Sequence, residues 1–199
     1  MNQLTFETKQ GKEILSFAND FAKLRIAVFR DFPYLYEGTL VYELNYVQTY
    51  AKCENAFVFA IYDGKEMVGA TTCIPLIHET ANVQLPFIQA GYDIDSIFYF
   101  GESILLKPYR GKGFGHRFFE EREKFANSFG TYITAAFCSV ERSIDHPLRP
   151  NDYVPNDLFW KKRNYTKFPE LTCKMSWQDI DQSEENEKTL TFWLKTLDK

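Results

Sequence analysis

The chain has 199 residues, of which 45% are hydrophobic and 25% charged, and a formal net charge of -4; this predicts one folded domain, residues 1–199, with a core large enough to need no staples. Ten glycines and eight prolines without a repeat exclude collagen-like and low-complexity chains, and the absence of a long apolar run speaks against a membrane span or signal peptide. The acidic balance argues against general phosphate-backbone binding, so neither nucleic acid nor membrane is an expected partner, and a cytoplasmic location is expected.

In chain order, Ile14, Phe17, Ala18, Phe21, Leu24 and Val28 recur at helical steps and predict a helix from Lys12 to Phe29. Pro33 and Gly38 break the pattern. Leu40, Leu44, Val47 and Ala51 then predict a second helix. Ala56 to Tyr62 and Glu66 to Ile74 flank Asp63-Gly64, the signature of a β-hairpin. Pro75 to Asp95 carries no clear period and reads as an irregular or short-helical excursion.

Ile97 to Leu106 reads as a buried strand that passes through a Gly-rich turn into a helix carrying Phe114, Phe118, Phe125 and Phe129. Tyr132 to Val140 is a further buried strand, followed by a Pro-rich loop and a short helix around Asp157 to Arg163. Two alternating strands close the chain, around Leu171 to Trp177 and Leu190 to Lys195, with Asp179 to Glu187 between them as an acidic, solvated turn. The class is α+β, a mixed central sheet flanked by helices.

Cys53, Cys73, Cys138 and Cys173 are far apart, without CxxC spacing, and read as buried thiols of a reducing compartment. With three histidines, His78, His116 and His146, and no paired Cys/His motif, no metal site is expected. The chemistry concentrates elsewhere. In Arg110-Gly111-Lys112-Gly113-Phe114-Gly115, glycines between a strand and a helix let successive N–H groups converge on one cavity, which suits a pyrophosphate. Lys107, Arg110, Lys112, His116 and Arg117 make this the most basic stretch of an acidic chain. It lacks both the Gly-Lys-Ser/Thr ending of nucleoside triphosphatases and the G-x-G-x-x-G dinucleotide spacing.

Arg110 to Gly115 resembles the R/Q-x-x-G-x-G/A motif of the GNAT superfamily of acyl-CoA-dependent N-acetyltransferases, and the order of elements is similar over essentially the whole chain. Phe159 to Tyr165 resembles the family's aromatic helix and turn, with Trp160 in place of the usual Tyr and Asn164 in place of Gly. The resemblance implies acetyl-CoA lying between the strands Ile97 to Leu106 and Tyr132 to Val140. The main chain of Ile104, Leu105 and Leu106 would hold the pantetheine and polarise the thioester carbonyl, Arg110, Gly111, Lys112, Gly113, Phe114, Gly115 and His116 would hold the pyrophosphate, and Lys161 or Lys162 the nucleotide end. It further implies direct transfer to the amine of a small molecule or peptide, in a monomer or a homodimer. Glu102 is the candidate base on the motif strand, the alternative being a carboxylate that merely sits at a strand bulge beside Gly101. Tyr153 and Tyr165 are substitutes for the missing acid, and His146, oriented by Asp145, is a candidate acid or base. Phe32, Tyr34 and Tyr36 would shape the acceptor pocket, with Asp31 and Glu37 attracting a cationic amine.

Two other classes compete with this reading. Cys138 with His146 could form a nucleophile pair, on sequence proximity alone. A GNAT-like fold that keeps its cofactor groove without chemistry would be an acyl-CoA sensor or interaction module.

Overall fold

A computed structural model describes residues 3–197. Its seven strands are β1 (Leu4–Gln10), β2 (Phe57–Asp63), β3 (Glu66–Pro75), β4 (Ile97–Leu105), β5 (Thr134–Val140), β6 (Thr166–Gln178) and β7 (Glu185–Thr196). They form one sheet in the order β1-β2-β3-β4-β5-β7-β6. Every neighbouring pair is antiparallel except β4 and β5, which run parallel. The mixed α+β class expected from the sequence is therefore the one found.

Five helices cover the sheet: α1 (Ala18–Phe29), α2 (Leu40–Ala51), α3 (Ala81–Gln89), α4 (Phe114–Asn127) and α5 (Asp157–Lys162). Strand β2 is a continuous apolar run, Phe57-Val58-Phe59-Ala60-Ile61-Tyr62, because both of its faces are covered. On one face Phe21 and Leu24 of α1 and Val47 and Tyr50 of α2 pack over Ala60 and Ile104. On the other, Phe118 and Phe119 of α4 pack with Phe59, Phe100, Phe137 and Trp193. The elements that carry the site thus sit on two separate cores with the sheet between them.

Four stretches differ from the sequence expectation. The periodic run from Lys12 to Phe29 is a 3-10 helix over Gly11–Phe17 that continues as α1; both segments bury one side through Ile14, Phe17 and Phe21, so the apolar spacing does not separate them. Strand β1 is an edge strand with most residues exposed, which leaves little hydrophobic alternation to read. The stretch after β3 contains α3, whose period is obscured by the internal Pro86. Finally, the acidic segment Asp179 to Glu187 is only partly a solvated turn. Asp179 is buried, and Glu185 to Glu187 belong to β7. Among the described residues no helix is long and apolar enough to cross a membrane.

Candidate active site

The parallel pairing of β4 with β5 runs from Ile97↔Thr134 to Tyr99↔Ala136 and stops there. Strand β5 stays paired with β7 along its whole length, so beyond Tyr99 it is the β4 side that opens. Main-chain groups along this edge lose their sheet partners and need others. A cavity of about 570 Å³ occupies the opening, lined among others by Phe100, Glu102, Phe119, Arg122, Phe137 and Cys138.

At the opening β4 carries a bulge: Thr71 pairs with Ser103 and Cys73 with Phe100, so Gly101 and Glu102 together face one residue of β3. A Cβ at Gly101 would run into the Tyr50 hydroxyl and Thr72 Oγ1. Glycine is therefore demanded by a close approach. The bulge settles the direction of Glu102, which sequence left open. Its carboxylate points towards α1 and α2, accepting from Arg25 Nη1 and Thr72 Oγ1, and the residue is almost completely buried. Arg25 also donates to the buried Glu43. Burial alone would lower the Arg25 pKa, but Glu102, Tyr46 and Glu43 hold it raised, so the guanidinium stays charged. The Glu102 carbonyl accepts from Thr71 Oγ1 at 2.7 Å and from Arg122 Nη1 at 3.4 Å. Tyr50 bonds to Tyr46 and to Glu79, both at 3.3 Å. Arg25, Glu43, Thr72, Glu79 and Arg122 are the residues that sequence reading missed. The one available signal was Arg25 itself, which interrupts the apolar stripe between Phe21 and Val28.

The Gly-rich loop follows β4. Gly111 and Gly113 have φ of 75° and 86°, and nothing lies within 4 Å of a Cβ at either. Left-handed backbone rather than crowding selects glycine at both positions. Gly113 is the N-cap of α4 and supplies no side-chain acceptor; the His116 and Arg117 N–H groups close on its carbonyl, leaving those of Phe114 and Gly115 without an intrahelical partner. The basic side chains are partly committed. Lys107 and Arg110 both pair with Asp31, at 2.9 and 3.3 Å, and Arg110 Nε donates to the Leu105 carbonyl at 2.9 Å. His116 contacts Arg163 and the Phe159 ring, Arg117 stacks on Phe6, Lys112 lies over the Tyr109 ring, and Lys161 is exposed. Of the three residues expected to offer main chain to a pantetheine, Leu106 donates to Val68 and accepts from Tyr109. Ile104 and Leu105 pair with Ala70 and Gly69 of β3.

Phe32, Tyr34 and Tyr153 line the cavity, and Tyr36 does not. The Tyr153 ring meets Phe32 edge-on at 4.7 Å, and burial raises its pKa. His146 also meets Phe32, at 5.7 Å, and its Nδ1 accepts from the Leu148 N–H. Tyr165 is buried behind the wall and bonded to Glu123, while Trp160 packs on Phe137 and Trp193. Asn164 adopts φ 67°, which explains how Asn serves where the family motif has Gly. Asp31 is engaged at both oxygens by Lys107 and Arg110, and Glu37 at one oxygen by Arg30 at 2.7 Å. Cys138 contacts the Tyr99 hydroxyl at 3.1 Å, and its neighbour Cys173 and burial hold the thiol protonated. That is a poor start for a nucleophile.

No family model and no curated protein matches the chain. Solved structures do. An N-acetyltransferase from Staphylococcus aureus Mu50 aligns over 98% of this chain and 99% of its own, with a TM-score of 0.61 and 12% identity. A GNAT-family acetyltransferase from Streptococcus pneumoniae aligns over 98% and 100%, with 0.58 and 10%. An aminoglycoside 6'-N-acetyltransferase complexed with coenzyme A aligns over 97% and 98%, with 0.57 and 14%. These likenesses span nearly the whole of each chain, and the protein has the fold of the GNAT acetyltransferases.

Proposed function

We propose that the protein is an acyl-CoA-dependent N-acyltransferase that moves an acetyl group from acetyl-CoA directly to the amine of a small molecule or peptide, in the cytoplasm. The observation that carries this reading is the joining of three features: a cavity where β4 and β5 part, a buried carboxylate at the bulge beside it, and a glycine turn at the start of α4. A pyrophosphate would be held by the N–H groups of the turn and by Arg110 and Lys112; the acyl-pantetheine arm would enter the cavity.

An amine with a free pKa of about 10 must lose a proton before it attacks. Glu102 would take that proton, directly or through water, with Arg25 and Thr72 fixing its orientation. The leaving thiolate has a free pKa of about 8.5; Tyr153, which lines the cavity and is kept protonated by burial, would reprotonate it. His146 supports that wall through Phe32. Both Glu102 oxygens are already engaged and Trp160 replaces the usual Tyr, which favours a silent acyl-CoA sensor as the second reading.

Thermal unfolding with acetyl-CoA tests the groove, since a ligand at 100 times its Kd stabilises by about 2.7 kcal/mol. A shift with acetyl-CoA, and thiol release with at least one amine of a panel, is the expected result. A shift without thiol release from any amine selects the sensor, and no shift at millimolar donor overturns both readings.

A further inference from the structure

Arg122 lies on the inner face of α4 and is 2% exposed. Its guanidinium sits between the rings of Phe100 and Phe119, at 4.4 and 4.5 Å. Nε donates to the Phe118 carbonyl at 3.2 Å and Nη1 to the Glu102 carbonyl at 3.4 Å. Nη2 is buried without a hydrogen-bond partner. A buried donor left unmade costs about 1–3 kcal/mol, and more when charged. Yet the side chain is not sealed inside the core: it lines the cavity where β4 and β5 part. Burial lowers its pKa only to about 10, so it is a cation at neutral pH.

Distance along the helix says what could meet it. Arg122 follows the Gly113 N-cap by nine residues, about 14 Å at 1.5 Å per residue. A pantetheine arm of about a dozen bonds, anchored by its pyrophosphate at the glycine turn, reaches on the order of 15 Å. An arm that runs along α4 would bring the thioester level with Arg122 and the β4 bulge, with its amides nearer the turn.

We propose that Arg122 donates through Nη2 to the acyl carbonyl oxygen of the bound thioester and stabilises the oxyanion formed during transfer. This rests on the acyltransferase reading above. As the amine nitrogen bonds to the carbonyl carbon, the C=O π pair moves onto the oxygen beside the guanidinium, and Glu102 takes the proton the nitrogen loses. Collapse re-forms C=O and breaks C–S, the thiolate takes a proton from Tyr153, and exchange with solvent returns Glu102 and Tyr153 to their starting states. A preorganised charge in a water-poor cavity acts more strongly on such an oxyanion than in bulk water.

The test is difference infrared spectroscopy of carbonyl-¹³C-labelled acetyl-CoA bound to the full chain, which needs no acceptor. In the wild type the thioester carbonyl band moves to lower frequency on binding. In Arg122→Met the shift disappears while donor Kd changes less than threefold, and with a working acceptor kcat falls on the order of 10²–10³-fold. An unshifted wild-type band, or the same shift in wild type and Arg122→Met, overturns the proposal. So does a variant that loses donor affinity more than tenfold while keeping the shift, because Arg122 would then hold a pantetheine amide. If Arg122→Met fails to fold, Arg122→Lys replaces it: the charge is kept and the fork lost, so a reduced shift supports the role and an unchanged one overturns it. Failure of wild type to bind acetyl-CoA at all removes the acyltransferase reading, an outcome distinct from binding without a shift.

Discussion

Glu79 and Asp179 are both buried, and their titrations are displaced in opposite directions. Burial pushes Glu79 up to about 7 against the Thr80 N–H and Tyr50 hydroxyl, with Glu102 adding repulsion. Burial would also raise Asp179, but hydrogen bonds and charge from Arg142 and Lys188 prevail and lower it. The signs differ accordingly. Between about pH 4.5 and 7, folded Glu79 keeps a proton that the unfolded chain has released, so stability falls as pH rises through that window. Asp179 contributes stability that is present above the ordinary carboxylate pKa and lost as pH falls through its lower folded value. We expect Glu79→Gln to gain up to about 3 kcal/mol on wild type between pH 5 and pH 8. Urea unfolding of both proteins at the two pH values measures this, and an equal difference at both would show that Glu79 titrates normally. None of this was legible in the sequence, where Glu79 stands in a stretch without period. A carboxylate's burial is set by Tyr50 and Glu102, distant in the chain, and local spacing carries no record of them.

At the scale of elements, legibility followed burial. The hairpin β2–β3 and the unit β4–loop–α4 were readable because their apolar spacing and glycines record local geometry, while β1 was not, its side chains being mostly in water. The glycine turn shows both sides of this. Its positive φ angles follow from the sequence pattern, and so does its being the most basic stretch of the chain, but the pattern does not show where those charges are engaged. The fold instead brings Asp31, from the end of α1, between Lys107 and Arg110. Gly113→Val separates the two properties of the turn. A left-handed, β-branched residue costs about 1–3 kcal/mol, and the open space around Gly113 means that no protein atom is struck. We therefore expect a modest fall in Tm with a larger loss of acetyl-CoA affinity, tenfold or more. Calorimetry of the variant checks this; an unchanged Kd would place the pyrophosphate elsewhere.

Over the whole molecule, a strap that sequence order does not reveal ties the first two helices to the edge strand β6. The segment between α1 and α2 crosses to the far end of the sheet, where Tyr36 bridges Asp179 and the main chain exchanges Glu37 N–H to Gln178 O at 2.9 Å and Ile180 N–H to Leu35 O at 2.7 Å. Arg142, just after β5, locks it. Its guanidinium donates to the Pro33 and Tyr34 carbonyls, each at 2.7 Å, and grips Asp179 with two bonds at 2.7 and 2.9 Å. The same residue lines the cavity, as do Phe32 and Tyr34 on the strap. This wall of the cavity is therefore held by an ion pair between elements far apart in the chain. Removing one partner of a buried pair costs about 3–5 kcal/mol, and Lys188, 3.3 Å from Asp179, offsets part of that. We expect Arg142→Met to lower unfolding stability by about 2–4 kcal/mol. Hydrogen exchange of the Tyr36, Glu37 and Ile180 amides should quicken before that of β2 and β3. Acetyl-CoA affinity should hold while the acceptor KM rises if, as proposed, the acceptor meets the strap and the donor the glycine turn. Equal acceleration in β2 and β3 would instead show the strap and sheet unfolding together, with Arg142 a residue of global stability alone.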